Sequence, residues 1–283
     1  MKIAQNNDGT LFLSQPGYTK EILSLYKPKT TYMTPCTADF MTQMGTGSDE
    51  SNVEKVDKTV YLSKLMKLFY LANRTRYDIL STLSILTTKM QDPNVNDMKR
   101  LDRVIGYIAF TPEFGIHIVV NDASLHAYFD AAWAVHTDLK GHSGIYITMG
   151  HNGFPLLAKS IKQKTVSRSS TEAELIAMFE GLDYLLWLRD IHIFIGYPAN
   201  TIVIFQDNTS SITLAYMGRT SSRSNSKYMM LKYFYIKEYL DNNIVTLRYL
   251  PTEQMIADFF ASPRVGKEFR TFRELILNCK TDK

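Results

Sequence analysis

The sequence predicts an α/β protein: a mixed five-stranded sheet with flanking helices, preceded by a small, mainly helical unit. Three observations carry this reading. Between residues 58 and 111, apolar residues recur every three or four positions in three separate stretches, the spacing of amphipathic helices. After Gly115 the pattern changes to short runs rich in β-branched and aromatic residues, IHIVV, LHAYFDAAWA, GIYITMG and PLLAKSIKQ, separated by Gly, Asn, Asp and His. Beyond these, two isolated apolar strands, TIVIFQD and IVTLRYLP, alternate with helical stripes, as parallel strands joined by helical crossovers do.

Composition is compatible with this class and excludes others. The 283 residues are 45% hydrophobic and 21% charged, with 9 Pro and 14 Gly, which rules out collagen-like, disordered and coiled-coil chains. The length suits one large domain or two modest ones, and the change of pattern places the boundary between residues 115 and 116. No apolar run approaches the roughly 20 residues of a membrane helix, so no membrane partner is expected. The opening MKIAQNNDGT has no apolar segment behind its single Lys, so a secretory signal is not expected. Cys36 and Cys279 are the only cysteines and lie far apart, which predicts a reducing compartment and no disulfide framework. A net charge of +4 permits an anionic partner without requiring one.

Taken in order, LFLSQPGYTKEILSLYK passes from a short apolar stretch through the Pro16–Gly17 turn into a helix marked by Ile22, Leu25 and Tyr26. Residues 41–57 are small, polar and acidic, the composition of an exposed connector, and Gly45 and Gly47 lack the third glycine and preceding strand of a phosphate loop. Three helices follow, on Leu62, Leu65, Leu68, Phe69 and Ala72, then Ile79, Leu83, Leu86 and Met90, then Leu101, Val104, Ile105 and Ile108. Asp92 and Pro93 separate the last two, and Asn96 or Asp97 is the expected N-cap of the third. This unit is read as structural. In the second half the β-rich runs predict antiparallel hairpins, and residues 169–196 a long helix capped by Ser169, Ser170 or Thr171. Its stripe runs through Leu175, Phe179, Leu182 and Leu186. The strand TIVIFQD leads into the helix NTSSITLAYMG. A helix with Met229, Tyr233, Ile236 and Leu240 on one face precedes IVTLRYLP and a final helical region at Ile256, Ala257 and Phe260.

Four acids stand out. Asp130 interrupts an apolar strand, Glu174 sits in the first turns of the long helix, Asp207 ends a strand and Asp258 opens the final helix. Singly, each has a structural reading: Asp207 as a cap for the next helix, Asp258 at a favourable helix N-terminus, Glu174 as a solvated helix residue. Together they point to one sheet edge, where strand ends and helix N-termini converge on ligands. An acid inside an apolar strand costs desolvation unless neutralised. Oxygen donors alone suit Mg²⁺ or Mn²⁺, and the absence of HExxH and CxxC spacings sets zinc aside. Two such ions about 3.5–4 Å apart support phosphodiester hydrolysis. Lys159, Lys162, Lys164 and Arg168 fall within ten residues on the approach to Glu174. They are either a charged edge strand protected from aggregation or a grip on a phosphate backbone, and the second reading is preferred.

The runs YFDAAW, SIKQKTVSRSSTEAELIAM, WLRDI, IVIFQDNTSSITLA and YLPTEQMIADFFASP resemble the ribonuclease H domain of the Pol polyprotein of copia-type LTR retrotransposons. Upstream, YLANRTRYDIL and LFLSQPGYTKEIL resemble the end of the neighbouring reverse transcriptase, so the resemblance covers nearly the whole chain. It implies a ribonuclease H-like domain over 116–283, with Asp130, Glu174, Asp207 and Asp258 as its metal-binding carboxylates. Asp130 and Asp207 would be shared by two Mg²⁺ (or Mn²⁺) ions, with Glu174 on one and Asp258 on the other. The implied activity is cleavage of the RNA strand of RNA/DNA hybrids. The implied partners are the hybrid and the rest of the Pol polyprotein or element particle, in the cytoplasm with the nucleus as a further compartment. Residues 1–115 would be a thumb and connection remnant, with a linker near 41–57.

Departures from the family pattern are Ala132 where a second Asp is usual, the run Lys227, Tyr228, Met229, Met230 in place of Lys-His-Ile-Asp, and Tyr77 in place of Pro in Thr-Arg-Pro-Asp. No Asp-Asp dipeptide occurs, so primer extension is not expected of this chain. The alternative is a catalytically idle nucleic-acid-binding or interaction module from a decayed or domesticated element.

Overall fold

The structure is a computed structural model and describes residues 1–44, 53–119, 122–151, 153–197, 202–218 and 227–278, the side chains of 227–229 excepted. The Gly45–Gly47 stretch, Cys279 and the side chains of Lys227, Tyr228 and Met229 therefore lie outside the described residues. The chain divides into two compact units, one of Met1–Val119 with Pro263–Lys283 and one of Val120–Ser262. Among the described residues no helix is long and apolar enough to cross a membrane.

In the first unit, β1 (Lys2–Gln5) and β2 (Leu11–Ser14) form a hairpin that the sequence reading left unassigned. Asp8–Gly9 makes its turn: Gly9 takes a φ of 85°, and Asp8 Oδ1 accepts from Thr10 N at 3.0 Å. The run IHIVV, expected in the second domain, supplies β3 (Ile116–Ile118) to this sheet, antiparallel to β2.

The unit's helices are α1 (Pro16–Tyr26), α2 (Phe40–Met44), α3 (Lys58–Ala72), α4 (Leu80–Thr87) and α5 (Val95–Phe110). The expected linker is corrected at its start, because Phe40 and Met44, one turn apart, are both buried and draw residues 41–44 into α2. Asn94 caps α5 in a capping box with Asp97, two residues before the earliest expected position. A further helix, α10 (Gly266–Leu277), comes from the far end of the chain. It buries Phe269, Phe272, Ile276 and Leu277, and Phe269 meets Tyr107 of α5 edge-on at 5.6 Å. The expected domain of 116–283 thus loses both ends to the first unit, whose apolar surface they cover.

A polar hub sits inside this unit. Arg76 and Asp78 are 1% and 0% exposed and form a forked ion pair, Nε to Oδ1 and Nη2 to Oδ2, both at 2.9 Å. Arg76 also donates to Thr111 O and Oγ1, and Tyr107 Oη donates to Asp78 Oδ2 at 2.6 Å. These are the Arg and Asp of the stretch in which Tyr77 stands for Pro.

The second unit holds β4 (Leu125–Ala132), β5 (His142–Met149), β6 (Phe154–Lys162), β7 (Ile202–Gln206) and β8 (Val245–Tyr249) in the order β6-β5-β4-β7-β8. The first three are antiparallel neighbours, and β7 and β8 pair in parallel with β4 and with each other. This is the ribonuclease H-like mixed sheet, with α6 (Ser170–Phe194), α7 (Thr209–Met217), α8 (Lys227–Asp241) and α9 (Asp258–Ala261) around it.

Because strand side chains alternate, Ala127, Phe129, Ile145 and Ile147 bury one face against α6 and α8, where Leu175, Leu182, Tyr233, Ile236 and Leu240 join them. Tyr128, Tyr146 and Asp130 belong to the opposite face, where Tyr146 stacks on Phe260 of α9 at 5.4 Å. Gly144, opposite Asp130, lets α9 approach: a Cβ there would lie 2.1 Å from Ala257 O. Gly144→Ala is therefore expected to destabilise the unit by about 1–3 kcal/mol, since backbone rather than a flexible side chain must move. A urea midpoint equal to wild type would contradict this packing.

A buried chain of hydrogen bonds ties β5 and β6 to α9. Ser160 Oγ donates to Phe260 O at 2.7 Å and so accepts from His142 Nε2, also at 2.7 Å; His142 Nδ1 accepts from His136 Nε2 at 3.0 Å. Burial, reinforced by the nearby Lys162, pushes His136 down to about 4. Burial, with His136 and Lys162 beside it, pushes His142 down to about 3. The unfolded chain therefore binds protons that the folded one refuses. The stability this pair contributes is present above about pH 6.5 and is lost as the pH falls towards 4 and 3. Urea midpoints should fall across that window, and His142→Asn should lower stability at pH 7 while flattening the fall; an equally steep fall in the variant would remove His142 from the effect.

Candidate active site

Three elements bring acids together. Asp130 projects from the β4 face opposite the main core. Glu174 stands in the second turn of α6, whose N-terminus is capped by Ser169 Oγ accepting from Glu172 N at 3.2 Å. Ala131, Ala173 and Ala177 pack as a small-residue contact that lets this end of α6 close on β4 beside Asp130. Asp207 follows the last residue of β7. It does not cap α7; Asn208 does, accepting from Ser211 N at 3.0 Å.

One carboxylate oxygen from each of Asp130, Glu174 and Asp207 falls within 4.8 Å of the others. Asp130 and Glu174 are 7% and 5% exposed, Asp207 partly exposed, and none of the three is in an ion pair among the described residues. Burial, then the charges of Asp258 and Asp207, push Asp130 up to about 8. Glu174 is raised well above the usual carboxylate range by burial and by Asp130 and Asp207. Thr252 Oγ1 donates to Asp207 Oδ2 at 2.7 Å. Asp258, the first residue of α9, is half-buried and close enough to act on Asp130, but it lies outside the compact set of three oxygens. Three carboxyls gathered in a dry site could hold a cation, and a set made only of carboxylate oxygens fits Mg²⁺ or Mn²⁺.

The four basic residues do not form one patch. Lys159 lies over the Tyr184 ring of α6 at 5.8 Å, whereas Ser160, one residue on, faces α9, as strand alternation requires of Lys162 as well. Lys162 pairs with Asp138 at 2.9 Å and Arg168 with Glu172 at 2.9 Å. Lys164 is exposed and has no ion pair among the described residues. Two groups escaped the sequence reading: Thr252, which only the fold brings to Asp207, and Gln206, whose position beside an acid at a strand end was its only signal.

The β6-β5-β4-β7-β8 mixed sheet, with Asp130 on β4, Glu174 on α6 and Asp207 directly after β7, defines a ribonuclease H-like fold. No family model matches the chain. It is 31% identical over 275 residues to the retrovirus-related Pol polyprotein from transposon RE2 of Arabidopsis thaliana, and 30% identical over 274 residues to that from transposon RE1 of the same plant. Each alignment covers 94% of this chain and 18% of the relative, so the chain spans less than a fifth of their length. Among solved structures, a compost-derived LC11-RNase H1 aligns with 49% of this chain and 92% of its own at 17% identity and a TM-score of 0.37. A foamy viral protease-reverse transcriptase in complex with an RNA/DNA hybrid aligns with 76% of this chain and 27% of its own, at 13% identity and a TM-score of 0.41. Over nearly its whole length the chain is thus similar to a part of copia-type retrotransposon Pol polyproteins.

Proposed function

We propose that this chain carries the ribonuclease H activity of a copia-type Pol polyprotein and cleaves the RNA strand of RNA/DNA hybrids. The observation that carries the reading is the buried convergence of Asp130, Glu174 and Asp207. Asp130 and Asp207 would hold both of two Mg²⁺ (or Mn²⁺) ions, Glu174 one of them, with Asp258 beside Asp130 for the second. Bound there, the ions supply an activated water and stabilise the leaving oxygen of the phosphodiester. Asp130 and Glu174 would supply ligand charge from a site that excludes bulk water, Thr252 would orient Asp207 through its hydrogen bond, and Glu174 would orient the attacking water. Residues 1–119 would then be the thumb and connection part of the reverse transcriptase, and the element particle in the cytoplasm the place of action. Purified chain incubated with labelled hybrid in Mg²⁺, and again with EDTA, tests this. Metal-dependent loss of the RNA strand is expected; hybrid binding without cleavage would instead favour the idle binding module.

Substrate grip on this reading falls mainly to Lys164, because Lys162 is engaged by Asp138 and Arg168 by Glu172. Lys164→Ala should weaken hybrid binding about equally for unrelated sequences and flatten its salt dependence by roughly 0.7–0.9 in slope. Lys162→Ala should do less. Isotherms at several salt concentrations with an unchanged slope for Lys164→Ala would leave the charges with only their edge-strand role.

A further inference from the structure

Gln206 ends β7 and is fully buried between two of the three acids. Both ends of its side-chain amide are engaged. Oε1 accepts from the backbone N–H of Asp207 at 2.8 Å and of Asn208 at 3.2 Å, and Nε2 donates to Glu174 Oε2 at 3.3 Å. The two backbone donors settle which way the amide points, because only its carbonyl oxygen can accept from them, and this turns the NH₂ group towards Glu174. No other residue type of this size serves both sides: a carboxylate at 206 would accept but not donate, and an apolar side chain would leave two N–H groups and a carboxylate without partners.

We infer that Gln206 is a positioning residue that clamps the Glu174 carboxylate of α6 to the turn carrying Asp207. Glu174 is the acid most in need of such a clamp. It reaches the cluster from a helix on a side chain with three rotatable bonds, whereas Asp130 is held by a strand. Asp207 is shorter and already accepts a hydrogen bond from Thr252. The clamp fixes the spacing between ligands that belong to different elements, the part that partners of metal ligands usually play, with losses of about 10- to 100-fold in affinity when they are removed.

This inference rests on the metal reading above. The test is Mn²⁺ binding to the full chain, with free ion counted by electron paramagnetic resonance, alongside metal-free thermal unfolding. Gln206→Met is expected to weaken Mn²⁺ binding about 10- to 100-fold. In a Glu174→Gln background the same change should cost less than about threefold, since the group it positions no longer ligates. Should Gln206→Met unfold, Gln206→Asn keeps an acceptor near the turn but is too short to reach Glu174, and the same loss is expected. Wild-type affinity in the folded variants, or a loss undiminished in the Glu174→Gln background, overturns the assignment of Gln206 alone. A wild-type chain that binds no Mn²⁺ overturns the metal reading and this inference with it.

Discussion

Asp207→Asn is expected to abolish hybrid cleavage in Mg²⁺ while leaving a folded chain that, without metal, is more stable than wild type. The activity should fall by at least about 1000-fold, which is about 4 kcal/mol of barrier, because on the proposed reading Asp207 would be a ligand shared by both ions. The stability effect has the opposite sign for an electrostatic reason: Asp207 is one of the charges that drive Asp130 and Glu174 upward, and the neutral amide removes it. Sites built for function commonly carry such a cost.

The pH dependence follows from the same groups. Asp130, held up at about 8, keeps a proton that the unfolded chain gives up near pH 4. Its contribution to metal-free stability is therefore greatest below about pH 4 and is lost as the pH rises towards 8. In EDTA, the excess of the Asp207→Asn urea midpoint over that of wild type should therefore widen as the pH rises between those values. Cleavage at the wild-type rate by Asp207→Asn would remove this residue from the mechanism, and a midpoint no higher than wild type would remove the repulsion.

Asp78→Ala is expected to be the most destabilising single change in the first unit, by about 3–5 kcal/mol, because it strands the Arg76 guanidinium in a site where both partners are almost wholly buried. Against a total stability of about 5–15 kcal/mol this is a large fraction. Tyr107 Oη loses its acceptor as well. Replacing Arg76 and Asp78 together by Met and Leu should cost much less than Asp78→Ala, since the charge that needs a partner is gone. Helical circular dichroism is the measurement to use, because Trp133 and Trp187, the only tryptophans, both lie in the second unit and report on that unit. A double variant as unstable as Asp78→Ala would mean that packing, not the buried charge, sets the cost.

Much of the second unit was legible in the sequence because its strands alternate cleanly or are continuously apolar, and because α6 carries an uninterrupted stripe. Phe129 and Leu182 are buried where those patterns put them. The four acids stood out by their cost: nothing in a strand such as AYFDAAW makes a carboxylate comfortable. The first unit was less legible. α4 is buried all round, from Leu80 to Leu86, so it has no polar face to give its ends away, and it is shorter than the stripe to Met90 suggested. The Asp8–Gly9 turn is a strong hairpin signal that went unread because its strands are only four residues long. α10 is faint in the sequence because its apolar residues, Phe269, Phe272 and Ile276, are spaced among charges.

What the sequence by itself determined is local chemistry and periodicity: which stretches hide a face, which residues can ligate a hard cation, and the order in which the strands occur. Only the tertiary structure decided which parts pair. It gave Ile116–Ile118 and Gly266–Leu277 to the first unit, and it drew Asp130, Glu174 and Asp207 into one set of oxygens while leaving Asp258 beside them. It also separated Lys159 from Lys162 and put Gln206 between two acids. The reason is that hydrophobic burial is not directional and accepts any partner surface of the right shape, whereas hydrogen bonds and charges act over a few ångströms. A residue's type announces what it needs, and the fold decides which distant residue supplies it.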